Sequence, residues 1–169
     1  MAADPGPVLA AAAAIVAAMK HGGTMLAFGN GGSAADAQHV ASELVGRFER
    51  HRSGFAAIAL TTDASVLTSV SNDYGYERVF ARQIEALGRK GDVAMGITTS
   101  GASANVIAAF EAARARGLQT IALTGRDGGA AGRAADIHIN VPSASTARAQ
   151  EVHRTLLHVI CDLVERHLA

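Results

Sequence analysis

With 169 residues, 49% of them hydrophobic and 18% charged, the chain is long enough for one domain with a real core. Fifteen Lys and Arg balance fifteen Asp and Glu, which argues against a dominant electrostatic footprint for nucleic acid or an anionic membrane. The one cysteine, Cys161, excludes an intrachain disulfide and fits a reducing, cytoplasmic compartment.

The N-terminal run PVLAAAAAIVAAM has the composition of a signal-peptide core, but its leader carries Asp4 and no Lys or Arg, and the run is too short to span a bilayer. It reads as a helix within 1–21, ending near Lys20-His21-Gly22-Gly23. Residues 23–28 form a predicted buried strand, and 33–47 a helix with Ser33 as its N-cap. A second strand is expected at 55–60. Helices follow at 63–71 and 76–88, broken by Asn72-Asp73-Tyr74-Gly75. The third strand is 92–97. A helix over 103–116 is capped by Ser103, turns Val106, Ile107 and Phe110 inward, and ends at Gly117. Strand 118–123, a short helix or turn at 127–129 and strand 136–141 precede a last helix, which runs from Ser145 or Thr146 almost to Ala169.

Near-continuous apolar strands with intervening helices predict a parallel sheet covered on both faces. The fold class is α/β, a single three-layer α/β/α domain over 1–169: an N-terminal helix in 1–21, an α/β core in 22–142 and a C-terminal helix in 143–169. Open α/β sheets bind ligands beyond the carboxyl ends of their strands. That rule selects three segments, 29–33, 61–63 and 98–103.

The first segment, Gly29-Asn30-Gly31-Gly32-Ser33-Ala34, fits the looser G-x-G-x-x-A dinucleotide pattern, with Asp63 as a candidate ribose-binding acid. Its glycines let a phosphate or sugar approach the backbone at a helix N-terminus. The third segment places Thr98, Thr99, Ser100 and Ser103 around Gly101, also between a strand and a helix. Four hydroxyls and a run of N–H groups can wrap one phosphate, and without a Lys this is not a Walker loop. Such a cradle suits the terminal phosphate of a small sugar better than a dinucleotide.

His39 and Glu43 are spaced i, i+4 and share a helical face. The last helix offers Gln150, Glu151, His153, His158 and His167. Imidazole and carboxylate together suit a divalent metal such as zinc, or general acid–base chemistry. Spacing alone does not choose between His153 and His158, or show that the two helices meet.

The stretches GNGGSAADAQHVASELVGRF, SNDYGYERVFARQIEALGRKGDV, GITTSGASANVIAAFEAARARG, IALTGRDGG and ARAQEVHRTLLHVICDLVE together resemble the phosphoheptose isomerases of the SIS (sugar isomerase) superfamily, in matching order over roughly residues 22 to 168. The resemblance implies a five-stranded parallel sheet between helices (the SIS fold) and a homotetramer with active sites near subunit interfaces. It implies an aldose–ketose isomerase acting on a phosphorylated seven-carbon sugar, sedoheptulose 7-phosphate, with no nucleic-acid or membrane partner. Substrate contacts then map onto Asn30, Gly31, Gly32, Glu43, Asn72, Asp73, Thr98, Thr99, Ser100, Ser103 and Gln150. One zinc per subunit maps onto His39, Glu43, Gln150 and His158, with Glu43 and His158 as the acid–base pair. Gln150 and His158 lie about 12 Å apart along a straight helix, so they share an ion only if their side chains lean together or an interface intervenes.

Three positions depart from the family pattern: Thr98 stands where Ser is frequent, Ala102 where Asn is common and Ala149 where Ile is usual. Relatives also include non-catalytic SIS scaffolds that associate with a replication initiator, and sugar-phosphate-binding regulators. Those scaffolds tend to lose the helix carboxylate and the C-terminal His, and this chain has both Glu43 and His158.

Overall fold

The computed structural model describes residues 4–168. The ends of the expected terminal segments, residues 1–3 and 169, lie outside the described residues. Five strands, β1 (Met25–Gly29), β2 (Ala57–Ala59), β3 (Val93–Thr98), β4 (Gln119–Gly125) and β5 (Ile137–Val141), form one sheet in the order β2-β1-β3-β4-β5. Every pairing is parallel. Among the described residues seven α-helices accompany them: α1 (Gly6–Lys20), α2 (Gly32–Val45), α3 (Ala64–Tyr74), α4 (Val79–Leu87), α5 (Ala104–Ala115), α6 (Gly129–Ala134) and α7 (Thr146–Leu168). The three-layer α/β/α sandwich expected from the sequence is the observed architecture.

The pleat sends alternate strand residues to opposite faces, which explains why both faces read as apolar. Met25, Ala27, Val93, Met95, Ile97, Ile121 and Leu123 pack under α1, α2 and α7. Leu26, Phe28, Ala94 and Ala122 face the other way, against α3, α4 and α5. Phe28, Phe80 and Phe110 fill that second layer, with ring centroids 5.5 and 5.6 Å from Phe28. With so few aromatics, most of the remaining core is small aliphatic, and α1 accordingly buries Ala11, Ala12, Ala14 and Ala18 beside Val8, Ile15 and Val16. None of the described helices is long and apolar enough to cross a membrane.

The register positions the site. Gly29 lies opposite Ile97, and Thr98 opposite Thr124, so the carboxyl ends of β1, β3 and β4 stop together at the same edge of the sheet.

Three local expectations are corrected. Ser33 is not the N-cap of α2: that position is Gly31, whose φ of +56° suits glycine, and the Ser33 side chain is buried inside the helix. Ser103 does hold the N-cap position of α5 but makes no capping bond, because its hydroxyl is turned to Thr98 instead. The expected break at 72–75 comes later, since α3 runs through Asn72 and Asp73 to Tyr74 and stops at Gly75.

Candidate active site

The hydroxyl loop after β3 folds onto itself. Thr98 Oγ1, buried at the strand end, lies 2.9 Å from Ser103 Oγ and 3.2 Å from Ser100 Oγ. Ser100 Oγ in turn accepts the Ala102 N–H at 3.2 Å. Behind the loop, the Ala131 N–H donates to the Gly101 carbonyl at 2.9 Å, bracing the turn against α6. Thr98, Thr99, Ser100 and Ser103 line a cavity of about 300 Å³ with Asn30, Gly31, Gly32 and Gln150. The N-termini of α2 and α5 both open beside it, so two positive dipole ends favour an anion there.

Asn30 is held by a partner the sequence reading missed. Its amide pairs reciprocally with that of Asn105, at 2.9 and 2.8 Å, and the Tyr76 hydroxyl donates to Asn30 Oδ1 at 3.1 Å. Asn105 is buried in the first turn of α5. A polar residue at a core-facing helical position was the available signal.

A second cavity, of about 630 Å³, adjoins the first: Gly32 and Gln150 line both, and Asp36, Arg154 and His158 belong to the second. A Cβ on Gly32 would run into the Gln150 amide, so glycine at this position makes room for that side chain. At the far side, α2 and α7 bring His39, Glu43 and His158 together, their candidate ligand atoms all within 4.8 Å of one another. His39 Nε2 lies 2.7 Å from His158 Nε2 and 3.4 Å from Glu43 Oε1. Burial pushes the His39 pKa below its usual value, and although Glu43 opposes this, Arg154 and His158 add to it. A neutral imidazole is the form that ligates a metal.

The structure also separates residues that spacing could not. His153 is fully buried and donates Nε2–H to the Thr124 carbonyl at 2.9 Å, so it supports α7 on the sheet while His158 faces Glu43. Asp63 caps α3 by accepting the Val66 N–H at 3.0 Å, a structural duty in place of a ribose contact. Asn72 and Asp73 are exposed on the last turn of α3 and line neither cavity. Gln150, expected beside the other metal ligands, points to the junction of the two cavities. Asp36 and Arg154 went unnoticed in the sequence: Arg154 Nε donates to the buried Asp36 carboxylate at 3.0 Å, one turn before His158 and His39 on their respective helices. Volume alone does not find the site. Another cavity of about 630 Å³, walled largely by Ile58, Val66, Ala86 and Leu87, holds none of the predicted substrate or metal residues.

Comparison with known proteins gives the same picture. A SIS-domain family profile matches residues 2–125. A phosphoheptose isomerase of Roseiflexus sp. (strain RS-1) is 58% identical over 161 residues, covering 95% of this chain and 82% of that protein. The structure of the phosphoheptose isomerase from Neisseria gonorrhoeae superimposes with a TM-score of 0.90 at 49% identity, over 95% of this chain and 86% of that one. The Francisella tularensis phosphoheptose isomerase gives 0.93 at 41% identity, over 97% and 87%.

Proposed function

The chain belongs to the phosphoheptose isomerases of the SIS-domain family, and on that premise we propose that its cleft converts sedoheptulose 7-phosphate to D-glycero-D-manno-heptose 7-phosphate through an enediolate. The observation that carries this reading is the adjacency of the two cavities. A hydroxyl-lined anion cradle shares Gly32 and Gln150 with a cavity walled by His158, against which Glu43 and His39 converge.

Ketose-to-aldose conversion moves one proton between C1 and C2. The Glu43 carboxylate takes a proton from C1 of the ketose, exchanges it in part with solvent, and delivers a proton to C2. His158 moves protons between the two oxygens of the enediolate, as an imidazole can near neutral pH. The cradle grips the phosphate at the other end through Ser100, Ser103, Thr98, Thr99 and backbone N–H groups. Binding energy from this non-reacting group thus orients the reacting carbons. Asn30, Gly31 and Gly32 border the phosphate end, and Gln150 touches the middle of the chain. Asn72 and Asp73 reach the substrate only if α3 shifts or a neighbouring subunit supplies them.

His39, Glu43 and His158 suit zinc by donor type, two imidazoles and a carboxylate around one point, with Gln150 as a fourth candidate. Zinc bound there would supply Lewis-acid polarisation of the carbonyl. We read the chain as one SIS domain acting as a cytoplasmic homotetramer. The free, buried Cys161 and the uncovered apolar groove of Leu9, Ala13, Val16 and Leu163 between α1 and α7 support that reading.

The test is turnover of sedoheptulose 7-phosphate followed by NMR, wild type against Glu43→Gln. Conversion by the wild type, lost in the variant, is the expected result. Equal turnover by both removes Glu43 as the base.

A further inference from the structure

The residues around the α2–α7 junction contain a buried ion pair that the proposed chemistry does not use. Glu165 lies about two turns beyond His158 on α7 and is completely buried. Its carboxylate accepts three consecutive backbone N–H groups, from Phe48 at 2.9 Å, Glu49 at 3.0 Å and Arg50 at 2.9 Å. A fourth bond comes from Arg52 Nε at 3.0 Å. The segment that follows α2 is therefore wrapped around a side chain of α7.

Arg52 spends its other donors on carbonyls at the C-terminal end of α2 and in the segment that follows it. One terminal nitrogen donates to the Glu43 carbonyl at 2.8 Å. The other reaches the carbonyls of Leu44 at 2.8 Å, Ser53 at 3.0 Å and Gly46 at 3.2 Å. The last carbonyls of a helix have no partner within it, and a guanidinium fork fits several at once. The group is 4% exposed and lies 4.0 Å over the Phe55 ring, which fixes its plane. Phe48, whose N–H is bound by Glu165, lays its ring on His158 with centroids 5.4 Å apart.

A buried ion pair is weak support for stability, since apolar residues of similar volume often do as well. What this pair provides is a fixed geometry between two helices. One end holds the turn of α2 that carries Glu43; the other holds the ring that rests on His158. Neither Arg52 nor Glu165 lines either cavity of the cleft.

Resting on the isomerase reading above, we infer that Arg52 and Glu165 are positioning residues, which hold the Glu43 carboxylate and the His158 imidazole in register through the α2 carbonyls and the Phe48 ring. Because the cradle lies at the other end of α2, the pair acts on the chemical step and not on phosphate binding.

The test uses full-length protein carrying Arg52→Gln, Arg52→Lys or Phe48→Leu, with Arg50→Ala as a control on the same loop. Arg50, itself exposed, pairs through its side chain with half-buried Asp162, and the control leaves its backbone N–H in place. For each, kcat and KM for sedoheptulose 7-phosphate are measured alongside the thermal transition. The ring-proton NMR resonances of His158 are recorded in chelator-treated protein. Arg52→Gln is expected to lower kcat about 10–100-fold, as loss of an orienting partner does, with KM within about twofold. Arg52→Lys does not rescue it, because one ammonium cannot replace the fork. Phe48→Leu leaves every bond to Glu165 intact, lowers kcat and moves the His158 resonances as the ring current is lost. Arg50→Ala matches the wild type.

A folded Arg52→Gln protein with wild-type kcat overturns the inference. So does a folded Phe48→Leu protein with unchanged kcat, and this arm decides the matter if Arg52→Gln does not fold. An inactive wild type overturns the isomerase reading alone; the His158 resonances of Arg52→Gln, which keeps the Phe48 ring, then decide the positioning, moving if the inference holds and overturning it if unmoved.

Discussion

The two ends of the cleft are built in opposite ways. The proposed phosphate end comes from short local segments: a glycine turn at 29–32 and a hydroxyl turn at 98–103, each at the junction of a strand and a helix. The proposed reactive end is assembled from side chains far apart in sequence. His39 and His158 are separated by 119 positions and meet only because α2 and α7 pack on the same face of the sheet. Backbone N–H groups and hydroxyls need little outside help to bind an anion. A carboxylate and an imidazole that must move protons need their separation held by the surrounding structure, which here means the buried Glu165 and Arg52.

That contrast predicts which kinetic constant each end controls. The largest effect is expected from Glu43→Gln, which should lower kcat about 10²–10⁴-fold, the range for a positioned acid or base. Its KM should change little, and a variant that lost KM instead would place Glu43 among the binding groups. At the other end, Ser100→Ala with Ser103→Ala should raise KM about 10–100-fold while kcat falls less, given what hydrogen bonds to charged groups contribute. A double variant with unchanged KM would move the phosphate elsewhere.

Glu165→Gln should act on stability as well as rate, costing about 3 kcal/mol because it leaves the buried Arg52 uncompensated. Burial pushes the Glu165 pKa up, but the N–H groups of Arg50, Glu49 and Phe48 and the Arg52 guanidinium outweigh it, and the net value is below normal. A folded-state pKa below the unfolded one stabilises the protein above the ordinary value of 4.5. That contribution is lost as pH falls through the depressed value. Denaturation midpoints measured from pH 6 downward should therefore drop more steeply for the wild type than for Glu165→Gln. Parallel curves would mean that the carboxylate is not held as described. The smallest effect should come from Asn105→Ala, which frees Asn30 and raises KM about 3–10-fold with kcat retained, as loss of a side-chain hydrogen-bond pair does.

The same contrast explains what the sequence made legible. Strands β1, β3, β4 and β5 and both phosphate-end loops could be read locally, because buried parallel strands are continuous apolar runs and the turns between strand and helix carry Gly, Ser and Thr. His39 and Glu43 could be paired by helical spacing. His158 could be chosen over His153 only through the family resemblance, since the choice depends on which face of α7 meets the sheet. Ser33 was misplaced as a cap, and Ser103 holds its cap position without a capping bond, because a hydroxyl before a helix has two uses, and burial or a strand-end threonine took the side chain. Arg52, Glu165 and Asn105 left little trace: a buried charge or amide resembles a surface one until its partner, tens of residues away, is known.

On the proposed mechanism, one cleft both grips the phosphate and isomerises the far end of the same sugar. The most direct measurement is incubation of the purified protein with sedoheptulose 7-phosphate in D2O, with zinc supplied, followed by ¹H and ¹³C NMR. The expected product is heptose 7-phosphate carrying solvent deuterium at C2, delivered from a Glu43 carboxyl group that has exchanged with solvent. No conversion, or conversion that never takes up solvent deuterium, would contradict that mechanism.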